Sequence, residues 1–242
     1  MVRRCVDGND DRFFRRIFLQ RLRMNFLYTF PAKIDHQPAG AALGWAGREP
    51  FHQTHALAEN PALPFPLVMP NAFSAAECVA IVGLGEARVK RAASVDERSD
   101  LSSRDFRVSE IAWIEPDADA QWLYHRLGVL FLQINASYGF DLLGFAEGLQ
   151  YASYGPGQYF GWHADIGPGS TSLRKLSLTI QLSEADDYAG GALQFHGGSD
   201  MPAARALGAA TFFPSYLAHQ VAPVTRGLRR SLVAWGYGPA FR

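Results

Sequence analysis

The residues of this sequence best suited to metal chemistry lie in the stretch from Tyr154 to Asp165. Residues two apart in an extended strand point to the same side, so His163 and Asp165 can offer an imidazole and a carboxylate to one metal ion. A third ligand must then come from elsewhere in the chain. Two histidines and one carboxylate leave coordination positions open, as a non-haem Fe(II) that must also hold a cosubstrate and dioxygen requires.

Residues far downstream add a second binding function. A His-x-Asp triplet alone is a weak signal, since about 0.4 such triplets are expected by chance in a chain of this composition. Beyond His219, however, Arg229 and Ser231 share one face of a predicted strand. An arginine can give a carboxylate two parallel charge-assisted hydrogen bonds, and a serine hydroxyl can add a third. This pair therefore predicts a site for the carboxylate of a ligand.

Each of these residues also has an ordinary structural interpretation. His163 could be a core histidine hydrogen-bonded to Asp165, and Arg229 could be a structural arginine. For a single residue, a structural role explains the sequence about as well as a functional one. For all of these residues together, a shared functional site is the better explanation. The structural explanation competes best for Tyr154, because an aromatic residue beside a turn is commonly there for packing.

The remaining histidines and two tryptophans are interpreted as structural. An HxxH pair can bind metal on a helix, but His52 and His55 have no neighbouring third ligand and are expected to be surface residues. His125, in a predicted helix, and His196, beside a glycine turn, are not expected to be metal ligands. We expect the two tryptophans, Trp162 and Trp235, to belong to the core or to the wall of a pocket.

The second half of the chain has the pattern of an antiparallel sheet protein. From Gly148 onward, short alternating runs are separated by glycine and proline, which is typical of a sandwich or barrel. One strand, at 176–182, alternates leucine or isoleucine with Ser177, Thr179 and Gln181. Its polar face either contacts solvent or lines the lumen of a jelly roll, where it can solvate a charged ligand. Further strands are predicted at residues 192–196, 208–213, 217–221 and 229–235, with glycine turns at 190–191 and 197–198.

Helices are predicted ahead of these strands. Ser74–Glu77 is a capping box that begins a short helix, which we expect Gly83 and Gly85 to end. A strand is predicted over 107–114 from its β-branched and aromatic residues. A longer helix follows over about 118–137, and its apolar side is suited to cover a sheet.

Composition favours a globular protein without a strongly charged partner. With 242 residues, 48% of them hydrophobic, the chain can bury a sizeable core. Its 23 basic and 23 acidic residues balance, so we expect neither a nucleic-acid nor a membrane partner. Cys5 and Cys78 have no finger or disulfide-framework spacing, which fits the reducing cytoplasm. No apolar run is long enough to cross a bilayer.

Taken in order, these motifs resemble the Fe(II)- and 2-oxoglutarate-dependent oxygenases, and within them the prolyl-4-hydroxylase-like group that includes the PKHD-type hydroxylases. The resemblance runs from about Pro66 to the C-terminus. It rests on Tyr-Gly-x-Gly-Gln at 154–158, His-x-Asp at 163–165, Gly-Gly-x-x-x-Phe at 190–195, Phe-Pro-Ser at 213–215, His219, Arg-x-Ser at 229–231 and Trp235.

This resemblance implies a fold and a set of roles. The fold would be α+β and mainly β, a double-stranded β-helix, or jelly roll, flanked by N-terminal helices. His163, Asp165 and His219 would bind the metal and carry the catalysis. Arg229 and Ser231, helped by Tyr154, would bind the distal carboxylate of 2-oxoglutarate. The remaining position that the resemblance touches is Gln181, which stands where related enzymes often carry a tyrosine that contacts this cosubstrate.

The implied activity is hydroxylation of a C–H bond in a small molecule or a protein side chain, with release of succinate and CO2. The implied cofactors are Fe(II), 2-oxoglutarate and O2, together with ascorbate. A nucleic-acid demethylase of the same superfamily would carry a second arginine in an Arg-x-Asn-x-x-x-Arg pattern, which residues 229–235 lack. The alternative from another class is a non-catalytic jelly-roll module that binds or senses the metal or 2-oxoglutarate.

The resemblance also suggests a division of the chain. We predict a poorly ordered or irregular N-terminal extension at 1–60, a proline-rich connector at 61–70 and the dioxygenase domain at 71–242. Residues 3–23 are basic with a short apolar strip, and an alternative interpretation is a targeting or membrane-surface helix. Met1 and Met24 both offer a start to the chain, and its oligomeric state is not predicted.

Overall fold

The computed structural model describes residues 26–30, 66–93, 106–196 and 204–241. The predictions for residues 3–23, for His52 and His55, and for the turn at 197–198 lie outside these residues.

The described residues form many short strands and two α-helices. The strands, numbered in chain order, are β1 Tyr28–Thr29, β2 Leu67–Met69, β3 Arg91–Ala92, β4 Arg107–Val108, β5 Glu110–Ile114, β6 Gly144–Phe145, β7 Leu149–Tyr154, β8 Tyr159–His163, β9 Arg174–Gln181, β10 Tyr188–Gly190, β11 Leu193–Phe195, β12 Ala210–Pro214, β13 His219–Val221, β14 Val224–Gly227 and β15 Arg229–Tyr237. The helices are α1 Ala75–Glu86 and α2 Gln121–Tyr138, and a 3-10 helix spans Gly169–Leu173. Neither of these α-helices combines the length and the apolar character needed to cross a membrane.

Two antiparallel sheets enclose the interior that will carry the site. The major sheet has the order β2-β12-β9-β15-β7-β5-β3, with β6 joined to β15 and β1 joined to β6. The minor sheet has the order β11-β13-β8-β4, and β10 pairs with β14 in a separate ribbon. This is the mainly β, double-stranded β-helix architecture, and the predicted fold class is confirmed.

Strand β9 shows how the sequence alternation is used. Its apolar residues Leu178 and Ile180 are fully buried in the cluster that contains the α2 side chains, so the helices cover this face of the major sheet. Its polar residues Ser177, Thr179 and Gln181 are buried as well, on the opposite face of the strand, where Thr179 lines the cavity between the sheets and Ser177 donates to Asp165. Of the two interpretations of this polar face, the lumen lining is correct and the solvent exposure is wrong.

Helix α1 begins as predicted and ends later. Ser74 accepts from the Glu77 amide while the Glu77 carboxylate accepts from the Ser74 amide, which confirms the capping box. The helix runs through Gly83 and Gly85 to Glu86, so the prediction that these glycines end it was wrong. A Cβ on Gly85 would lie 2.3 Å from Cγ of Tyr151, which shows that this glycine serves close packing of the helix on the sheet.

Helix α2 begins three residues later than predicted and ends close to the predicted position. The Asp117 carboxylate accepts from the Ala120 amide in a turn ahead of the first helical residue. The helix then ends at Tyr138, where Gly139 adopts φ 68° in the left-handed region.

The strand predicted over 107–114 is divided between the two sheets. Strand β4 pairs with β8 in the minor sheet, whereas β5 pairs with β7 in the major sheet. The chain crosses from one sheet to the other at Ser109, which sequence alternation did not predict. As a result Arg107 lies at the wall of the lumen, with 8% of its surface exposed.

Two segments ahead of the predicted domain also join it. Within 1–60, residues 26–30 pair with β6 through β1, and Phe30 is buried in the core. Within the predicted connector, β2 pairs with β12 as an edge strand of the major sheet. Local patterns predicted neither strand, nor the ribbon of β10 and β14, because each strand is short. The domain boundaries as such stay a prediction.

Candidate active site

Three predicted metal ligands converge between the sheets. His163 is the last residue of β8 and His219 the first of β13, and these strands pair antiparallel with the two histidines opposite each other. Asp165 lies just beyond β8. Its Oδ1 is 3.6 Å from Nε2 of His163, and its Oδ2 is 3.7 Å from Nε2 of His219. The ligand atoms of all three residues lie within 4.8 Å of one another, a spacing that suits one metal ion.

Both imidazoles are held in the form that a metal requires. Nδ1 of His163 lies 2.8 Å from the carbonyl oxygen of Gly161, and Nδ1 of His219 lies 2.9 Å from that of Leu217. A carbonyl oxygen can only accept, so each Nδ1 carries the proton and each Nε2 keeps its lone pair for the metal. Burial lowers the pKa of His219 despite the opposing charge of Asp165, which favours the neutral ligand form.

The Asp165 carboxylate is fixed from its outer side. Its Oδ2 accepts from Oγ of Ser177 at 2.6 Å, and that hydroxyl lies 3.0 Å from Oγ of Ser215. Burial alone would raise the pKa of Asp165, but the His219 and His163 imidazoles and the Arg174 guanidinium lower it well below its usual range. The carboxylate is therefore ionised and oriented, as a metal ligand must be.

Arg229 is a buried cation with unused donors. It is fully buried on β15 in the wall of the same cavity. Among the described residues, its Nε and Nη2 have no hydrogen-bond partner, and burial lowers the pKa of its guanidinium. A buried guanidinium in this condition costs free energy until an anion joins it. The lining of the cavity thus fits a carboxylate ligand.

The other predicted contacts of 2-oxoglutarate lie around Arg229. Ser231 accepts from Nη1 of Arg229 at 3.3 Å, and the Arg229 guanidinium carbon lies 5.4 Å from the ring centroid of Tyr154. Both residues line the cavity. Gln181 is the register partner of Ser231, yet it does not line the cavity, so its contact with 2-oxoglutarate stays a prediction.

The cavity contains polar residues that sequence analysis missed. It includes about 370 Å³ of empty space, part of it open to solvent. Arg107 and Gln150 line it together with the residues above. The sequence did contain a signal for Arg107, because the motif Arg-x-Ser occurs at 107–109 as well as at 229–231. In both places the arginine donates to the serine two residues on.

The remaining aromatic and histidine predictions divide. Trp235 lines the cavity as expected, with Arg174 stacked over its ring. Trp162 is 45% exposed on the outer face of the minor sheet, where it contacts His196, so its assignment to core or pocket wall was wrong. Period two explains this, since its neighbour His163 points inward. His125 lies on α2, with Nδ1 3.4 Å from the hydroxyl of Tyr28.

Comparison with known proteins gives matches that coincide with this site. A sequence model of the 2OG-Fe(II) oxygenase superfamily matches residues 149–237. A PKHD-type hydroxylase of Synechococcus elongatus is 39% identical over 92 residues, which are 36% of this chain and 41% of that protein. A PKHD-type hydroxylase of Sphingopyxis alaskensis is 41% identical over 81 residues, 31% of this chain and 37% of that protein. The chain thus spans about two fifths of the length of these relatives.

Solved structures share the fold at low sequence identity. A prolyl-4-hydroxylase of Pseudomonas putida superimposes with a TM-score of 0.54 and 22% identity, covering 72% of this chain and 93% of that one. A viral collagen prolyl hydroxylase of Paramecium Bursaria Chlorella virus-1 gives a TM-score of 0.56 and 18% identity over 73% and 97% of the two chains. Residues 149–237 of this chain are thus similar to the 2OG-Fe(II) oxygenase superfamily, and part of the chain is similar to the PKHD-type hydroxylases.

Proposed function

We propose that this protein is an Fe(II)- and 2-oxoglutarate-dependent dioxygenase that hydroxylates a C–H bond of a small molecule or a protein side chain. One observation carries the proposal: three metal-ligating side chains converge in a cavity whose wall holds the buried guanidinium of Arg229, and Nε and Nη2 of that guanidinium have no hydrogen-bond partner among the described residues. A metal site alone would suit many reactions. The adjoining carboxylate receptor is what points to 2-oxoglutarate.

In this proposal the chain supplies geometry and charge. His163 and His219 bind iron through Nε2 and Asp165 through its carboxylate, while Ser177 holds the carboxylate in place. Iron loaded with 2-oxoglutarate supplies the oxidising chemistry, with CO2 and succinate as by-products. The buried walls exclude water from the reacting centre, so that the oxidant meets the substrate.

Arg229 fixes the cosubstrate in this proposal. Its free Nε and Nη2 donors give the distal carboxylate two parallel hydrogen bonds, and Ser231 and Tyr154 complete the end of the cavity. Because this end is anchored, the opposite end of 2-oxoglutarate is directed at the three metal ligands.

The names of the similar proteins support hydroxylation and leave the substrate open. The curated relatives are named hydroxylases, and the similar solved structures are titled prolyl hydroxylases. We assign this chain a C–H substrate in a protein side chain or a small molecule on that support. The use of ascorbate and a cytoplasmic location stay predictions.

The test is coupled product formation. The purified full chain, loaded with Fe(II), should convert 2-oxoglutarate to succinate in an oxygen-dependent manner, and the fraction of a cell extract that holds the substrate should accelerate it. Asp165→Ala should abolish succinate formation both with and without the extract fraction, and metal analysis should show that the variant has lost its metal. Binding of metal and 2-oxoglutarate without any succinate would instead identify the non-catalytic module. Failure of the chain to bind either would overturn the proposal.

A further inference from the structure

A second guanidinium lies in the wall of the cavity. Nε of Arg107 donates to Oγ of Ser109 at 2.9 Å, and its Nη2 donates to Oε1 of Gln150 at 2.8 Å. The residue is 8% exposed. No acidic side chain of the described residues forms an ion pair with it, in contrast to Arg174, which pairs with Glu147. Hydrogen bonds therefore fix the position of the Arg107 guanidinium, but no described acidic side chain neutralises its charge.

This end of the cavity presents donors and few acceptors. Arginine can only donate, so Gln150 must turn its amide oxygen toward Arg107 and keep its NH2 group as a further donor. Ser109 uses its oxygen as an acceptor for Nε and so holds the guanidinium in place, although it does not itself line the cavity. A group that offers only acceptors, such as a carboxylate, complements this set. A primary amide would bring its own N–H groups against these donors.

The charges of the loaded site favour the same ligand. Iron(II) carries two positive charges, Asp165 one negative charge, 2-oxoglutarate two negative charges and Arg229 one positive charge, which sum to zero. When the charge of Arg107 is added, the cavity has a net charge of plus one, which no described residue compensates. A buried charge of this kind is costly unless it is paired, so a substrate with one negative charge is favoured over a neutral one.

Arg107 lies near the metal ligands and on a different wall from Arg229. Its guanidinium carbon is 4.3 Å from the centroid of the Phe160 ring, and that ring stacks on the imidazole of His163 at 3.6 Å. It belongs to β4 of the minor sheet, whereas Arg229 belongs to β15 of the major sheet. An anion at Arg107 is thus placed beside the metal site without occupying the receptor assigned to 2-oxoglutarate.

We propose that Arg107, held at Nε by Ser109 and flanked by Gln150, binds the carboxylate of the primary substrate, and that this substrate is a small carboxylic acid. The inference rests on the proposed function, since it assigns 2-oxoglutarate to Arg229. Arg107 is then the residue that determines specificity. It selects free acids over their amides and orients the rest of the molecule toward the metal.

The test measures binding to the resting complex, so that it does not depend on turnover. The full chain is loaded with Fe(II) and 2-oxoglutarate without oxygen, and calorimetry measures the binding of free L-amino acids and of simple aliphatic and aromatic monocarboxylic acids. Each acid that binds is compared with its primary amide. At least one acid should bind, and its amide should bind about 10- to 100-fold more weakly, as loss of a charge-assisted contact implies.

Three variants locate the effect. Arg107→Met should weaken the acid about 10- to 100-fold while 2-oxoglutarate affinity stays within about twofold, and Arg107→Lys should recover part of the loss. Gln150→Glu should act like Arg107→Met, because the new carboxylate neutralises the guanidinium and repels the ligand. The exposed Arg91, changed to Met, is the control and should leave binding unchanged.

The outcomes separate this inference from the proposed function. Wild-type protein that binds metal and 2-oxoglutarate but no acid, or that binds amides as well as acids, overturns the carboxylate subsite and leaves the oxygenase assignment intact. Loss of 2-oxoglutarate affinity in Arg107→Met also overturns it, because Arg107 would then serve the cosubstrate. Wild-type protein that binds neither metal nor 2-oxoglutarate overturns both.

Discussion

His163 and His219 are direct register partners in neighbouring antiparallel strands, and their ring centroids lie 4.2 Å apart. The two residues are 56 positions apart in the sequence, so only the pairing of β8 with β13 brings them together. With Asp165 two residues beyond the end of β8, the three ligands depend on one strand register. A shift of one residue would turn a histidine out of the lumen.

Removal of a metal ligand should abolish metal binding without unfolding the protein. His219→Ala and Asp165→Ala each delete one of three ligands, and we expect loss of Fe(II) or Co(II) at stoichiometric concentration, measured by metal analysis and by the absorption of bound Co(II). His125→Ala on α2 is the matched control and should retain the metal. An Asp165→Ala protein that is shown to be folded and still decarboxylates 2-oxoglutarate would contradict the assignment.

Ser177 should matter for the metal although it does not contact it. Ser177→Ala removes the 2.6 Å hydrogen bond that orients the Asp165 carboxylate, and loss of such an outer contact typically weakens metal affinity about 10- to 100-fold. Competition with a chelator measures this change. Ser172→Ala, which removes an exposed hydroxyl bonded to the Gly169 carbonyl, is the control. Equal metal affinity in the two variants would refute the positioning role.

Substitution of Arg229 should change stability and affinity in opposite directions. Arg229 is a buried cation, and two of its donors have no partner among the described residues. Arg229→Met removes this charge and these donors, so the ligand-free protein should gain about 1–3 kcal/mol in unfolding free energy, measured with urea. Its 2-oxoglutarate affinity should fall about 10- to 100-fold. Arg230→Met, at the adjacent position, should leave that affinity unchanged. If Arg229→Met bound 2-oxoglutarate normally, the receptor would have to lie elsewhere.

Gly191 leaves the space that Arg229 occupies. A Cβ at this position would lie 2.9 Å from Cδ of Arg229, and φ is 60°. Gly191→Ala should therefore displace the guanidinium and weaken 2-oxoglutarate binding, measured by calorimetry. Gly157→Ala controls for backbone strain, since φ there is 79° and no atom lies within 4 Å of the added Cβ. Equal 2-oxoglutarate affinity in the two alanine variants would show that Gly191 does not position Arg229.

Lys175 should make stability rise with pH in the alkaline range. Burial lowers the pKa of its amine to about 8 from 10.5, although the amine lies 3.2 Å from the ring centroid of Phe241. Between these two values the unfolded chain binds more protons than the folded one, so the unfolding free energy increases with pH by at most about 3 kcal/mol.

Substitution at position 175 tests this linkage. Lys175→Met should stabilise the protein below a pH of about 8, where the buried amine is charged, and should flatten the increase above it. Urea unfolding of both proteins across this range gives the comparison. The unfolding free energy of the wild type could instead fall over this pH interval, and by more than that of Lys175→Met. That result would disprove a lowered pKa of the Lys175 amine.

The sequence alone determined the chemistry-bearing residues and the kind of structure around them. Period two identified the polar face of β9, and a capping box identified the start of α1, because these signals depend on neighbours a few residues apart. The order of the motifs resembles a known oxygenase family, and that resemblance predicted an iron and 2-oxoglutarate site. Such patterns are local or serial, and a single chain displays them directly.

Only the tertiary structure decided which distant residues share the lumen. Arg107 enters it because the chain changes sheets at Ser109, and Trp162 turns outward because His163 turns inward. Gly85 lies inside α1, where the Tyr151 ring leaves no room for a Cβ. Each outcome depends on strand register and on contacts between segments far apart in sequence. Local periodicity does not encode those contacts, since they arise from the packing of the two sheets and the helices that cover them.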